Sequence, residues 1–319
     1  MFAVTNRIPE SAVELLRGVG EVRIDERETP LPREDLLRLV AGAEAVVTLL
    51  QDRVDAELLE AAGPQLRCVA NVAVGYDNVD VAAAARHGVA VTNTPGVLDD
   101  ATADLTMALI LAATRRLAEG DRLVRSGAAW SWGMSFMLGS SLRGKVLGII
   151  GLGGIGSRVA ERARAFGMEI AYHSRSTAPA EVVAALAAER LPLEQLLEGA
   201  DVLSLHCPLT PETHHLINAA ALARMDPGAV LVNAARGPIV DEQALAEALA
   251  AGRIAAAGLD VYEREPRVEP SLLELDNVVL TPHLGSATVE TRTAMAELAA
   301  RNAIAAVRGE ELLTPVPVP

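Results

Sequence analysis

Three short segments carry residues able to bind and protonate a polar substrate. They are Asn233-Ala234-Ala235-Arg236-Gly237, Gly258-Leu259-Asp260-Val261-Tyr262-Glu263-Arg264-Glu265-Pro266, and Thr281-Pro282-His283-Leu284-Gly285-Ser286. Each follows an apolar run with the composition of a buried strand. Each therefore falls at the C-terminal end of a strand, where open α/β sheets bind ligands. Arg236, Glu265 and His283 thus converge on one sheet edge. An arginine fork grips carboxylate and carbonyl oxygens, and a histidine delivers a proton to an oxygen as hydride reaches the adjoining carbon. A carboxylate beside that histidine orients the imidazole and favours its protonated form. These residue types suit the reduction of a 2-oxo acid. Taken one at a time each has a plainer reading: His283 as a structural histidine, Glu265 as solvated surface, Arg236 paired with a local acid, Asp260 as the cap of a strand end.

A second motif supplies the partner for that chemistry. Gly151-Leu152-Gly153-Gly154-Ile155-Gly156 is a GxGxxG that follows the strand Lys145–Ile150 and opens the helix Ser157–Phe166. In that context Gly151 permits a tight turn, and Gly153 lets backbone N–H groups approach a pyrophosphate. Gly156 allows close helix–strand packing. A dinucleotide site that favours NAD places Asp or Glu about 20 residues further on. This chain has Tyr172-His173-Ser174-Arg175-Ser176 there, without a carboxylate. Ser174, Arg175 and Ser176 are suited to a 2′-phosphate, so the expected cofactor is NADP(H), preferred over NAD(H). The alternative is a solvated Arg175 in an enzyme that uses both.

The elements that position these residues alternate along the chain. Strands are expected at Phe2–Thr5, Val22–Ile24, Ala45–Leu49, Cys68–Val72 and Ala90–Thr92, with amphipathic helices Pro9–Arg17, Arg33–Val40 and Asp55–Ala62 between them. A second series of six strands runs Val146–Ile150, Glu169–Tyr172, Val202–His206, Val230–Asn233, Ala256–Leu259 and Val278–Thr281. Such alternation predicts parallel sheets covered by helices. Two long helices join the series, one from Asp99 to Arg125 and one from Ala287 to Arg308, stopped by Gly309. The expected architecture is α/β with two domains: a Rossmann-type doubly wound parallel sheet, residues 99–287, inserted into a discontinuous substrate-binding domain, residues 1–98 plus 288–319.

The length of 319 residues suits two such domains, and half of the residues are hydrophobic. The formal net charge of −14 and pI near 4.9 repel nucleic acid and anionic lipid, so neither is an expected partner. Small anions in a local basic pocket remain compatible with that balance. Cys68 and Cys207 are too few and too far apart for a disulfide framework or a CxxC motif. The segment Met1–Arg7 lacks the pattern of a signal peptide, and the apolar stretch Leu105–Ala113 is too short to span a bilayer. The expectation is a cytoplasmic protein. No metal site is expected: His214 and His215 are adjacent, should face apart, and lack an accompanying carboxylate or cysteine set.

Further segments carry a likeness: Val72-Ala73-Val74-Gly75-Tyr76-Asp77-Asn78-Val79-Asp80, Thr92-Asn93-Thr94-Pro95-Gly96-Val97, and His206-Cys207-Pro208-Leu209-Thr210. With the motifs above, and in this order, they make nearly the whole chain resemble the D-2-hydroxyacid dehydrogenase family, closest to its glyoxylate/hydroxypyruvate reductase branch. The resemblance implies a flavodoxin-like α/β fold for the substrate domain and catalytic roles for Arg236, Glu265 and His283. It implies that the backbone N–H groups of Val74 and Gly75, with Arg236, hold the substrate carboxylate. It places Asp260 near the nicotinamide amide and Thr102 beside the ring. The motif reading and the resemblance together give as cofactor contacts Thr102, Gly153, Gly154, Ile155, Gly156, Ser174, Arg175, Ser176, Pro208, Ala234, Ala235, Arg236, Asp260, His283 and Gly285. Trp130-Ser131-Trp132-Gly133-Met134 matches a family stretch that reaches the partner subunit's active site. Trp132 is thereby either a limit on substrate size or part of a homodimer interface alone. Substrate is expected in an interdomain cleft that closes on binding. The implied reaction is NAD(P)H-dependent reduction of glyoxylate or hydroxypyruvate to the D-2-hydroxy acid, with His283 as proton donor. The alternatives are a D-3-phosphoglycerate or D-lactate dehydrogenase, and a non-catalytic dinucleotide-sensing protein like the co-repressors that share the fold.

Overall fold

In both sheets of the chain, apolar side chains fill both faces of the strands, the pattern of a parallel sheet covered by helices on each side. The structure, a computed structural model, describes residues 1–318. The chain forms two compact units, Met1–Leu98 with Ala287–Pro319, and Asp99–Ser286.

The first unit holds β1 (Phe2–Val4), β2 (Val22–Ile24), β3 (Ala45–Thr48), β4 (Cys68–Asn71) and β5 (Ala90–Thr92). They form a five-stranded parallel sheet in the order β2-β1-β3-β4-β5, the doubly wound order of flavodoxin-like folds. Alternation sends Ala3, Val46 and Val69 to one face, under α2 (Arg33–Val40), α3 (Ala56–Ala62) and α4 (Val81–Arg86). Phe2, Val4, Val47 and Ala70 go to the other, under α1 (Glu10–Arg17) and α13 (Val289–Arg308). Helix α13 begins two residues later than expected, because Thr288 caps it by accepting the Thr291 N–H at 3.1 Å. It ends at Gly309, whose φ of 70° suits a residue without Cβ.

The second unit opens with α5 (Asp99–Thr114) and α6 (Leu117–Arg125). The single helix expected over Asp99–Arg125 is therefore broken. The Thr114 carbonyl accepts the Ser140 N–H at 2.8 Å and so leaves the helical ladder, and Arg116 follows in the left-handed region at φ 55°. Next come β6 (Val146–Ile150), α7 (Gly154–Ala165), β7 (Glu169–His173), α8 (Ala180–Leu186), β8 (Glu189–Arg190), α9 (Leu193–Gly199), β9 (Val202–Leu205) and α10 (Ala219–Arg224). The unit is completed by β10 (Val230–Asn233), α11 (Glu242–Ala250), β11 (Ala256–Leu259), α12 (Pro270–Leu273) and β12 (Val278–Leu280).

The sheet has seven parallel strands in the order β12-β11-β10-β9-β6-β7-β8. Counted from β6, this is the 3-2-1-4-5-6 dinucleotide-binding order with a seventh strand added. Six strands were expected. The third in that order is β8, a two-residue strand that pairs with β7 through Ala171↔Glu189 and Tyr172↔Arg190. It is too short to show an alternation of its own. One face of the sheet packs Leu147, Ile149, Tyr172 and Val232 against α5, α7 and α8; the other packs Leu203, Leu205, Leu231 and Leu259 under α9, α10 and α11. Arg162 on α7 bonds Asp104 and Asp100 on α5, at 2.6 and 3.0 Å, which fixes the two helices together. Among the described residues no helix is long and apolar enough to cross a membrane.

Candidate active site

The glycine turn is built as a cradle. Gly151 has φ 98°, and a Cβ on it would lie 2.7 Å from the Cys207 backbone nitrogen, so only glycine fits where the turn crosses the end of β9. A Cβ on Gly156 would strike the Gly151 carbonyl. A Cβ on Gly153 would meet nothing within 4 Å, so that side of the turn is open. Helix α7 has no side-chain cap, and among the described residues the N–H groups of Gly153, Gly154 and Ile155 have no protein acceptor. Uncapped amides at the positive end of a helix, beside open space, fit a pyrophosphate. The Leu152 N–H donates to Ser174 Oγ at 3.0 Å, which ties the turn to the loop after β7. On that loop Ser174 is half-buried, and Arg175 and Ser176 are exposed.

The second half of the site lies at the C-terminal ends of β10, β11 and β12. Asn233 ends β10 and shapes its loop with both amide atoms: Oδ1 accepts the Ala235 N–H at 3.1 Å, and Nδ2 donates to the Arg236 carbonyl at 2.9 Å. Ala234 is buried there, Ala235 and Arg236 are half-buried, and one Arg236 Nη1–H donates to the Ala235 carbonyl at 2.8 Å. Gly237 follows with no room for a Cβ, since its backbone lies directly on that of Tyr262 and Glu263. This close approach sets the Arg236 loop against the Glu265 loop.

Asp260 organises the third segment. It is 1% exposed, and its carboxylate serves three donors. Oδ1 accepts from Thr281 Oγ1 and from the Leu284 N–H, both at 2.7 Å, and Oδ2 accepts the Gly285 N–H at 2.8 Å. The Asp260 carbonyl also accepts the His283 N–H at 2.8 Å. His283 is thereby held at φ 54°, a left-handed conformation that few non-glycine residues adopt. Asp260 acts first on the His283 loop, and among the described residues Oδ2 accepts only the one bond from Gly285. Thr102 on α5 is buried close by: a Cβ on Gly285 would lie 3.4 Å from both Thr102 Oγ1 and Asp260 Oδ2.

His283 Nδ1–H donates to Glu265 Oε2 at 2.8 Å, and the Tyr262 N–H donates to Glu265 Oε1 at 3.1 Å. Burial pushes the Glu265 carboxyl up, but the bond and charge of His283, the Tyr262 N–H and the charge of Arg236 outweigh it and hold the pKa below the ordinary 4.5. With Nδ1 committed to Glu265, Nε2 is the ring nitrogen left to exchange a proton with a ligand. Tyr262, which the sequence reading passed over, binds the ends of two strands together: its hydroxyl donates to the Thr281 carbonyl at 2.9 Å. No local motif marks it, because the Thr281 carbonyl lies 19 residues further along the chain.

Pro208 is exposed, next to Cys207, whose thiol is pushed up to about 11 by burial and is no nucleophile near neutral pH. Burial pushes His206 down to about 4, so its ring is neutral and serves no acid role. His214 and His215 do not face apart as expected. Their rings stack at 4.1 Å, because His215 at φ 49° folds the backbone over, and His215 Nε2 is spent on Glu263 at 3.1 Å. Trp132 is 78% exposed. Val74 and Gly75 belong to the first unit, after β4. There three successive carbonyls are taken: Ala73 by the Thr94 N–H, Val74 by Asn93 Nδ2–H and Gly75 by Asn71 Nδ2–H, at 2.8, 2.8 and 3.1 Å. Among the described residues the Val74 and Gly75 N–H groups have no protein acceptor.

Residues 107–285 match the family model of the D-isomer specific 2-hydroxyacid dehydrogenase NAD-binding domain. A glyoxylate reductase of Pyrococcus furiosus is 51% identical over 312 residues, spanning 96% of this chain and 92% of the relative. The crystal structure of a glyoxylate reductase from Paecilomyes thermophila superposes with a TM-score of 0.89 at 37% identity, over 99% of this chain and 98% of the other. An NADPH-dependent glyoxylate/hydroxypyruvate reductase from Sinorhizobium meliloti, crystallised with NADP and malonate, does so with a TM-score of 0.84 at 37% identity, over 99% and 96%. A dinucleotide cradle, a carboxylate-held histidine and an arginine on one sheet edge agree with these likenesses: the chain belongs to the D-isomer specific 2-hydroxyacid dehydrogenase family, oxidoreductases that act on CH–OH donors and the corresponding 2-oxo acids with a nicotinamide dinucleotide.

Proposed function

We propose that the protein reduces a small 2-oxo acid, glyoxylate or hydroxypyruvate, to the D-2-hydroxy acid, with NADPH preferred over NADH. The observation that carries the reading is the 2.8 Å bond from His283 Nδ1–H to Glu265, which leaves Nε2 as a proton donor for a carbonyl oxygen. A nicotinamide dinucleotide bound at the glycine turn supplies the hydride. Glu265 orients the imidazole and favours its charged form, and Arg236 grips the substrate by carboxylate and carbonyl. The Val74 and Gly75 amides, free of protein acceptors, are assigned to the substrate carboxylate. Thr102, Ala234, Ala235, Asp260 and Gly285 are assigned to the nicotinamide end of the cofactor, Gly153 to Gly156 to its pyrophosphate, and Ser174, Arg175, Ser176 and Pro208 to its adenosine end. The names of the relatives support glyoxylate and hydroxypyruvate as substrates, and the solved neighbour that carries NADP supports the cofactor.

The segment after α6 supports a homodimer. Trp130, Trp132, Met134 and Leu138 are 56, 78, 83 and 65% exposed, an apolar surface that a second copy would cover. Trp132 is then a candidate limit on substrate size. Two free thiols support a reducing, cytoplasmic setting.

The test is cofactor oxidation followed with glyoxylate, hydroxypyruvate, pyruvate and 3-phosphohydroxypyruvate, each with NADPH and with NADH. Highest kcat/KM with glyoxylate or hydroxypyruvate and NADPH is the expected result. No turnover with any 2-oxo acid would refute the catalytic reading. Equal kcat/KM for the two cofactors, unchanged in Arg175→Ala, would refute the NADPH preference. A light-scattering mass of one chain would refute the dimer.

A further inference from the structure

The loop after β7 is held from the sheet edge by a residue with no place in the reading so far. Arg190, on the two-residue strand β8, donates from Nη2 to the carbonyls of Ser174 and Arg175 at 2.9 and 3.2 Å. Its Nη1 donates to Thr177 Oγ1 at 2.8 Å. One planar fork thus spans the turn from Ser174 to Thr177, and the Leu152 N–H also holds Ser174 through its Oγ. Because the carbonyls of Ser174 and Arg175 are drawn to Arg190, the other face of the turn presents donors. Among the described residues the N–H groups of Arg175, Ser176 and Thr177 have no protein acceptor. Consecutive unpaired amides next to an exposed arginine form an anion-binding concavity.

We propose that Arg190 is a specificity-determining positioning residue: it fixes the Ser174–Thr177 turn so that Arg175 and the turn's amides receive the 2′-phosphate of NADPH. The inference rests on the reading of Arg175 as the 2′-phosphate ligand. Arg190 does its work through the turn, so it acts on the phosphorylated cofactor and leaves NADH, which carries only an uncharged hydroxyl at that position, almost untouched. A merely structural role would weaken both cofactors alike.

The experiment is a fluorescence titration of the full chain with NADPH and with NADH, repeated as competition by adenosine 2′,5′-bisphosphate and by 5′-AMP. The variants are Arg190→Ala, Arg190→Lys and, as the reference, Arg175→Ala. Releasing a turn of this size costs its ordering on binding, so Arg190→Ala should raise the Kd for NADPH about five- to tenfold and that for NADH less than about twofold. The bisphosphate should follow NADPH, and 5′-AMP should follow NADH. Arg190→Lys keeps the charge but offers one donor point in place of a fork, so it should recover only part of the loss. Equal weakening of both cofactors, no weakening of NADPH, or full recovery by lysine would overturn the proposal. A wild-type protein without NADPH preference would overturn it together with the Arg175 reading. Loss of preference in Arg175→Ala but not in Arg190→Ala would overturn it alone.

Discussion

Replacing Asp260 by asparagine removes one acceptor oxygen from a buried carboxylate that serves three donors on the loop carrying His283. Either orientation of the amide turns its NH2 toward a backbone N–H. The cheaper one puts the NH2 at the Oδ2 position, facing only the Gly285 N–H, and keeps the carbonyl for Thr281 and Leu284. An unsatisfied N–H at a residue 1% exposed costs about 1–3 kcal/mol, and the two surviving bonds fall from charge-assisted to neutral strength, roughly half. The sum is about 3 kcal/mol, which for a unit the size of Asp99–Ser286 lowers Tm by roughly 6–12 °C. The same change loosens the loop that holds His283 at φ 54°, and a misplacement of about 1 Å at a reacting group costs on the order of 10² in rate. Calorimetry and steady-state kinetics of Asp260→Asn read both effects. A Tm within about 2 °C of wild type, combined with wild-type kcat, would refute the account of Asp260 as the clamp of the His283 loop.

Other consequences can be checked separately. His283→Ala removes the proton donor and should lower kcat by about 10²–10⁴ while leaving the Kd of the cofactor nearly unchanged; wild-type turnover would remove His283 from the mechanism. Arg236→Lys replaces a planar fork by one point donor and should lower kcat/KM by about tenfold or more, read from saturation kinetics with the preferred 2-oxo acid. The Glu265 carboxyl has a depressed pKa in the folded chain. Its contribution to stability is therefore present in full above the ordinary value of 4.5 and is lost as the pH falls through the lower folded value. Denaturant unfolding between about pH 3 and 7 should accordingly show a shallower acid loss for Glu265→Gln than for wild type, and parallel curves would count against the His283–Glu265 pair.

Much of the molecule was legible from its sequence. The short apolar runs gave eleven of the strands within a residue or so, because a strand buried on both faces must be apolar along its whole length. The GxGxxG stood in the strand–turn–helix context that gives it meaning, and the structure shows why Gly151 and Gly156 lack a side chain, while Gly153 borders open space. Arg236, Glu265 and His283 were singled out because each follows a strand end, and the strand order carries the segments after β10, β11 and β12 to one edge.

What the sequence could not reveal depends on partners distant along the chain. Strand β8 has two residues and no periodicity, and exists because β7 offers it a free edge. The break at Arg116 is set by Ser140, which takes a carbonyl from the helix that precedes it. Asp260 read as a strand cap or a cofactor contact, and only the fold brings Thr281, Leu284 and Gly285 onto its two oxygens. Sequence by itself determined which residues could do the chemistry and on which kind of sheet. The tertiary structure decided which hydrogen bonds hold His283 in place, since the bonds to Glu265 and to Asp260 join residues 18 to 25 positions apart and no local pattern encodes them.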